Sequence, residues 1–241
     1  MKLLMIHGSR QSGELLRAKS QAMEKLIRQA LAPQQPGSVK FHYPTAPFAL
    51  ELSGPPSKLR DQHGQWAWWQ SEHIDGVYPG LETGLETLAS VLKDEGPFDG
   101  VIGFSQGAAI AAMVASLLEG NRKEAFSGLE TDGGIAYPAA FASLGHSSLK
   151  FVISISGYAA PCREYHAFYN PRIRTPSLHI LGSLDTVVEE HASMKLVDSC
   201  QGEEDGTAPL VVYHSGTFTI SQATIRARSP QYRDEATEYN K

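Results

Sequence analysis

Gly103-Phe104-Ser105-Gln106-Gly107 constrains this chain more than any other stretch. Ahead of it, Phe98-Asp99-Gly100-Val101-Ile102 is a short apolar run of the kind that forms a buried strand. Behind it, Ala108 to Ala115 is rich in alanine and reads as a helix. A serine at the apex of a Gly-x-Ser-x-Gly turn between strand and helix sits on a sharp, strained bend. Its Oγ is raised above the carboxyl end of the sheet. Gly103 and Gly107 leave out side chains where strand and helix pass close together. The helix start adds free N–H groups and the positive end of its dipole, both suited to a developing oxyanion. The backbone N–H of Gln106 is one expected donor. The alternative is a plain loop with two turn glycines, and the strand and helix on either side favour the elbow.

The remaining chain alternates strands and helices. Leu3–Ile6 reads as a first core strand. The segment 13–31 has apolar residues at helical spacing, and Pro33, Pro36 and Gly37 end it. Val39–Tyr43 alternates as a strand does, and Gly80–Leu92 places four leucines on one helical side. Phe151–Ile155, Ser177–Gly182 and Leu210–His214 read as further strands, with a short helix over 189–200. Two stretches lack a clean period: 45–79, rich in Pro, Gly and Trp, and 121–146, which reads as an insertion or lid. Such alternation predicts an α/β fold, a mostly parallel sheet with helices on both faces. Its 241 residues suit one domain with a substantial core.

Composition excludes several classes. A net charge of −5 gives no global pull toward nucleic acid or an anionic membrane surface. No apolar run approaches the roughly 18 residues that a membrane span needs. Met1–Ile6 runs straight into His7-Gly8, with no cleavage site of a signal peptide. The expectation is a soluble cytoplasmic protein without nucleic-acid or membrane partners. Cys162 and Cys200 form no metal-binding pair, and no His-Glu-x-x-His motif appears. No metal and no other cofactor is expected.

An elbow of this type belongs to the α/β-hydrolase fold, whose triad follows the chain order serine, acid, histidine. Asp185 is the expected acid, because it follows the 177–182 strand across a short turn. Its task is to hold an imidazole in the right tautomer and stabilise the imidazolium. The competing role is a cap for the helix that follows. Only His191 and His214 come after Asp185. His191 falls inside a helical stretch and reads as a surface residue, which leaves His214 as candidate base or as a structural turn residue. The second oxyanion donor is expected in the loop His7-Gly8-Ser9-Arg10, from the N–H of Ser9 or Arg10, with His7 bracing that loop.

With these residues in place the chain resembles the fungal family of serine hydrolases abbreviated FSH, which includes carboxylesterases and thioesterases that release polyketides from their synthases. The matching stretches are Leu4–Gly13, Tyr43–Pro47, Trp68-Trp69, Tyr78–Glu82, Gly96–Ala108, Ile155–Tyr158 and His179–Asp185. The resemblance implies Ser105 as nucleophile and Asp185 as triad acid. It implies a hydrophobic acyl ester or thioester as substrate and a polyketide synthase acyl carrier domain as partner. It departs at the third triad member. The family's late motif ends in a catalytic histidine, and here His214-Ser215-Gly216-Thr217 is followed by Phe218. The domain is expected over 1–218, with 219–241 a loosely ordered tail. Two accounts of that end stay open: a native tail on an impaired enzyme, or a reading frame altered after Thr217. The second functional reading is accordingly a hydrolase-shaped binding or scaffold protein. Trp66, Trp68, Trp69 and Phe48 either line an apolar acyl pocket or pack the core.

Overall fold

The computed structural model describes residues 1–33, 38–51, 64–70, 76–130, 133–201, 208–214 and 226–227. Strand β1 (Lys2–Ile6) shows the logic of the fold in one element. Leu4 and Ile6 face one apolar cluster, while Leu3 and Met5 face another on the opposite side of the sheet. This period-2 division makes a strand buried on both faces. Helix α1 (Gly13–Leu31) covers the Leu3–Met5 side through Leu16, Met23, Ile27 and Leu31. Ser12 caps α1, its Oγ accepting the Leu15 N–H at 3.1 Å.

The chain continues through β2 (Lys40–His42), β3 (Phe48–Ala49), β4 (Trp66–Ala67) and α2 (Leu81–Glu95). Next come β5 (Gly100–Phe104), α3 (Gln106–Leu117), α4 (Arg122–Glu130), α5 (Ala139–Ala142) and β6 (Phe151–Ile155). It ends with β7 (Ser177–Gly182), α6 (Glu190–Asp198), β8 (Leu210–His214) and β9 (Arg226–Ala227). The main sheet has the order β2-β1-β5-β6-β7-β8-β9. All its pairs are parallel except β8 with β9. The elbow strand is therefore central, and Ser105 emerges at the carboxyl edge. Every residue of α3 is buried. The Ala-rich sequence lets it lie close to the sheet: a Cβ on Gly103 would stand 2.3 Å from the Gly107 carbonyl oxygen, and one on Gly107 2.3 Å from that of Ile6.

The two aperiodic stretches contain more order than their sequences announce. Segment 121–146 holds α4 and α5 and is pinned to the core by Phe126 and Phe141, not irregular as expected. Arg122 at the start of α4 is fully buried and pairs with Glu119 at 2.7 Å. Glu119 Oε1 also accepts the N–H groups of Arg174 and Thr175 at 2.7 and 2.9 Å. The Arg122 guanidinium donates to the carbonyls of Ala167 and Arg172. This clasp ties the end of α3 to the segment that leads into β7. In the Trp-rich stretch, β3 and β4 pair antiparallel. Trp68 and Trp69 are core residues, with Trp69 stacked on Tyr78 at 4.5 Å. Packing, not a pocket, accounts for those two rings; Trp66 is half-buried against the same cluster.

Candidate active site

Ser105 has φ 52° and ψ −120°, a conformation that L-residues adopt only under constraint. Three hydrogen bonds hold the bend. The Ser105 N–H donates to the Ile155 carbonyl at 2.8 Å, extending the β5–β6 ladder. The Ser105 carbonyl accepts the N–H groups of Ala108 and Ala109 at 2.8 and 3.1 Å, opening α3. The serine itself is 9% exposed. Gln106 is the first residue of α3, and among the described residues its backbone N–H has no acceptor, as expected for a first-turn donor.

The loop after β1 lies against the elbow. A Cβ on Gly8 would come within 3.3 Å of Ser105 Cβ and 3.1 Å of the Phe104 carbonyl oxygen, so a side chain there would crowd the serine. Of the two donors expected in this loop, Arg10 is already committed: its N–H bonds the Trp66 carbonyl at 2.9 Å. Its φ of 60° turns the chain back at that point. The Ser9 N–H has no acceptor among the described residues, and Ser9 is exposed. His7 is buried and braces the loop. Its Nε2 accepts the Ala46 N–H at 3.0 Å, so Nδ1 carries the proton and donates to the Gly8 carbonyl at 2.8 Å. Burial lowers its pKa to about 4, the bond to Gly8 opposing only in part, so the ring is neutral.

Asp185 follows β7 in a turn, and its two carboxylate oxygens differ sharply. Oδ1 accepts the N–H groups of Val187 and Val188 at 2.9 and 3.0 Å, closing the turn that precedes α6. Oδ2 is buried and has no hydrogen-bond partner among the described residues. The capping role is thus met by one oxygen, at the 186–188 turn and not at α6, whose N-cap is Glu189. The other oxygen keeps its acceptor capacity unused among the described residues.

The structure does not place His214 beside Ser105. His214 is the last residue of β8, level with Gly182 of β7, and its carbonyl accepts the Ser183 N–H at 2.9 Å. Its ring is buried and makes no hydrogen bond to Ser105 or Asp185. Three strand spacings, about 14 Å, separate β8 from β5, too far for a serine and a histidine on those strands to bridge. Phe218, where the family pattern has its histidine, lies outside the described residues, as does the expected tail apart from Arg226–Ala227, which pairs with β8. His191 is exposed on α6 and faces Glu189 at 3.0 Å, a surface pair as expected.

One functional candidate escaped sequence reasoning: the side chain of Gln106. Its Oε1 accepts the Trp68 N–H at 2.9 Å and its Nε2 donates to the Trp69 carbonyl at 3.2 Å. The available signal was a polar residue at a helix start with no room for solvent. Among the described residues, no group of three or more His, Cys, Asp or Glu is placed to hold a metal ion. No described helix is long and apolar enough to cross a membrane.

A central parallel sheet, helices on both faces and a serine at positive φ between β5 and α3 define the chain as an α/β-hydrolase fold. The crystal structure of esterase PE8 shares this fold, with TM-score 0.55 and 20% identity over 92% of this chain and 86% of that one. The chain belongs to the family described as Serine hydrolase (FSH1), whose model matches residues 1–225. Esterase OVCA2 of Danio rerio is 29% identical over 96% of this chain and 95% of its own length, so relatives extend beyond fungi. A Schizosaccharomyces pombe protein named dihydrofolate reductase is 28% identical over 93% of this chain, which spans only 45% of that protein.

Proposed function

We propose that this serine hydrolase cleaves esters or thioesters of hydrophobic acyl groups through Ser105, with Asp185 as the acid of its triad. The observation that carries this reading is that the chain has both a strained, buried Ser105 at the start of α3 and a buried Asp185 oxygen with no partner among the described residues. Ser105 Oγ attacks the acyl carbonyl carbon and its proton passes to a base. The resulting oxyanion is held by the N–H groups of Gln106 and Ser9. Collapse expels the thiol or alcohol, which leaves with that proton, and forms an acyl-serine. Water then attacks the acyl-serine, and the acid is released. Leu184 and Val187, both more than 60% exposed, flank Asp185 in the sequence and are apolar surface available to the acyl group. Release of a polyketide from a synthase carrier domain is the setting that the FSH resemblance favours.

A second reading rests on a specific observation. Among the described residues no imidazole stands at Asp185 Oδ2 or at Ser105. Without its base, a triad retains only about 10³–10⁴-fold catalysis over water, mostly from the oxyanion hole and binding. The chain is then a slow hydrolase or an acyl-binding protein on a hydrolase frame.

Labelling with a fluorophosphonate probe tests both. The first reading expects labelling that Ser105→Ala removes, and turnover of p-nitrophenyl hexanoate and of a hexanoyl N-acetylcysteamine thioester. Absence of any Ser105-dependent labelling sinks it and leaves the binding reading.

A further inference from the structure

We propose that the side chains of Gln106 and Trp68 are positioning residues that set the spacing between the two oxyanion donors. This rests on the assignment of Ser105 as nucleophile. The donors belong to different elements: Ser9 to the loop after β1, Gln106 to the start of α3. The β1–β5 ladder ends at Ile6 opposite Gly103, so strand pairing does not reach either donor. Beyond that point something else must hold loop to elbow.

Segment 66–69 does so. On the loop side, the Trp66 N–H donates to the Gln11 carbonyl at 3.0 Å and the Arg10 N–H donates to the Trp66 carbonyl at 2.9 Å. The Trp68 indole Nε1–H donates to the His7 carbonyl at 2.8 Å. On the elbow side, the Gln106 carboxamide spans two consecutive residues. It accepts from the Trp68 N–H at 2.9 Å and donates to the Trp69 carbonyl at 3.2 Å. Five hydrogen bonds thus run from His7, Arg10 and Gln11 through one short segment to Gln106. Gln106, Trp68 and Trp69 are all buried, so water does not substitute for any of the bonds on the elbow side.

This arrangement separates two duties within one residue. Both ends of the Gln106 side chain are spent on backbone groups, which keeps the carboxamide off the substrate and leaves the backbone N–H for the oxyanion. An oxyanion hole works only when its donors are preorganised at the right separation, and a misplacement of about 1 Å costs on the order of 100-fold in rate. Removing the brace changes that separation without removing either donor.

The test compares Gln106→Ala and Trp68→Phe with the unmodified chain; Trp68→Phe keeps an aromatic ring but loses the indole N–H together with the five-membered ring. Amide hydrogen exchange is followed in a peptide covering residues 7–11, far in sequence from both substitutions. Inhibition is measured with a trifluoromethyl ketone, which forms an oxyanion on the serine, and with the matching methyl ketone, which binds without one. The brace requires faster exchange in 7–11 in both variants. It also requires about 30-fold or greater weakening of the trifluoromethyl ketone in Gln106→Ala, with a similar fall in kcat, while KM and the methyl ketone change less than about threefold. Unchanged exchange in 7–11 overturns the proposal, and so does equal weakening of both ketones. If Ser105→Ala leaves trifluoromethyl ketone binding intact, the nucleophile assignment has failed instead, and the exchange measurement still decides the brace.

Discussion

Asp185 Oδ1 accepts the backbone N–H of Val188 at 3.0 Å, while the second oxygen of the same carboxylate is buried without a partner among the described residues. One side chain therefore carries a structural and a chemical duty on separate atoms, and substitutions can divide them. Asp185→Asn retains the Oδ1 acceptor, so its melting temperature stays close to that of the unmodified chain. Asp185→Ala loses the turn closure and is destabilised by about 1 kcal/mol, as for a lost cap. Thermal melts of the two variants check this. An equal loss in both would mean that the charge, not the acceptor, holds the turn.

The vacancy at Asp185 Oδ2 also predicts a gain of function. Phe218→His supplies an imidazole at the place where the family pattern has one, and is expected to raise the rate of fluorophosphonate labelling at least tenfold, since general base catalysis contributes roughly 10²–10⁴-fold. Asp185→Asn in that background should cancel most of the gain by leaving the imidazole wrongly oriented. His214→Ala in the original chain should change labelling less than about threefold, given its place on β8. A larger loss would make His214 the base after all.

The Glu119–Arg122 clasp is a strong stability determinant. Arg122 is wholly buried, and Glu119 gathers three donors from Arg174 and Thr175 on Oε1 besides its pairing through Oε2. Breaking a buried pair by removing one partner costs about 3–5 kcal/mol, because the other charge stays unpaired. Urea denaturation should show a loss of that order for Arg122→Ala, and a smaller one for Arg122→Met with Glu119→Gln. If Arg122→Ala alone costs less than about 1 kcal/mol, water has entered the site and the clasp contributes little.

Stability should fall on acidification below neutrality. His7 and His179 are buried, and burial holds the pKa of each at about 4, against 6.5 for an unperturbed histidine. The unfolded chain therefore binds more protons than the folded one between those values. Stability is complete above about pH 6.5 and is lost as the pH falls toward 4, by up to about 3 kcal/mol for each ring. Denaturant midpoints measured from pH 7 to pH 4 should follow this slope. His179→Gln should remove about half of it, whereas a slope unchanged in that variant would exclude His179 as a source.

Much of this architecture was legible in the chain because it rests on local patterns. The continuous apolar run Leu3–Ile6 and the helical spacing across 13–31 matched the elements that form. The elbow was legible because its glycines answer to backbone collisions that any such turn meets. The Trp-rich and 121–146 stretches were not legible. Trp68 is held by an indole bond to His7 and a backbone bond to Gln106, both more than 30 residues away in sequence. Arg122 lies in a stretch without a clean period, and its burial comes from the segment before β7, whose carbonyls it binds.

By itself the sequence determined the class of fold, the position of Ser105 at its centre and the strand that Asp185 follows. These follow from periodicity and from the steric needs of one turn, which act over a few residues. Only the tertiary structure decided that Arg10 is spent on Trp66, that Asp185 divides its oxygens, and that His214 stands three strands from the serine. Those outcomes depend on which strands become neighbours and which buried polar groups find partners, and no local pattern encodes either.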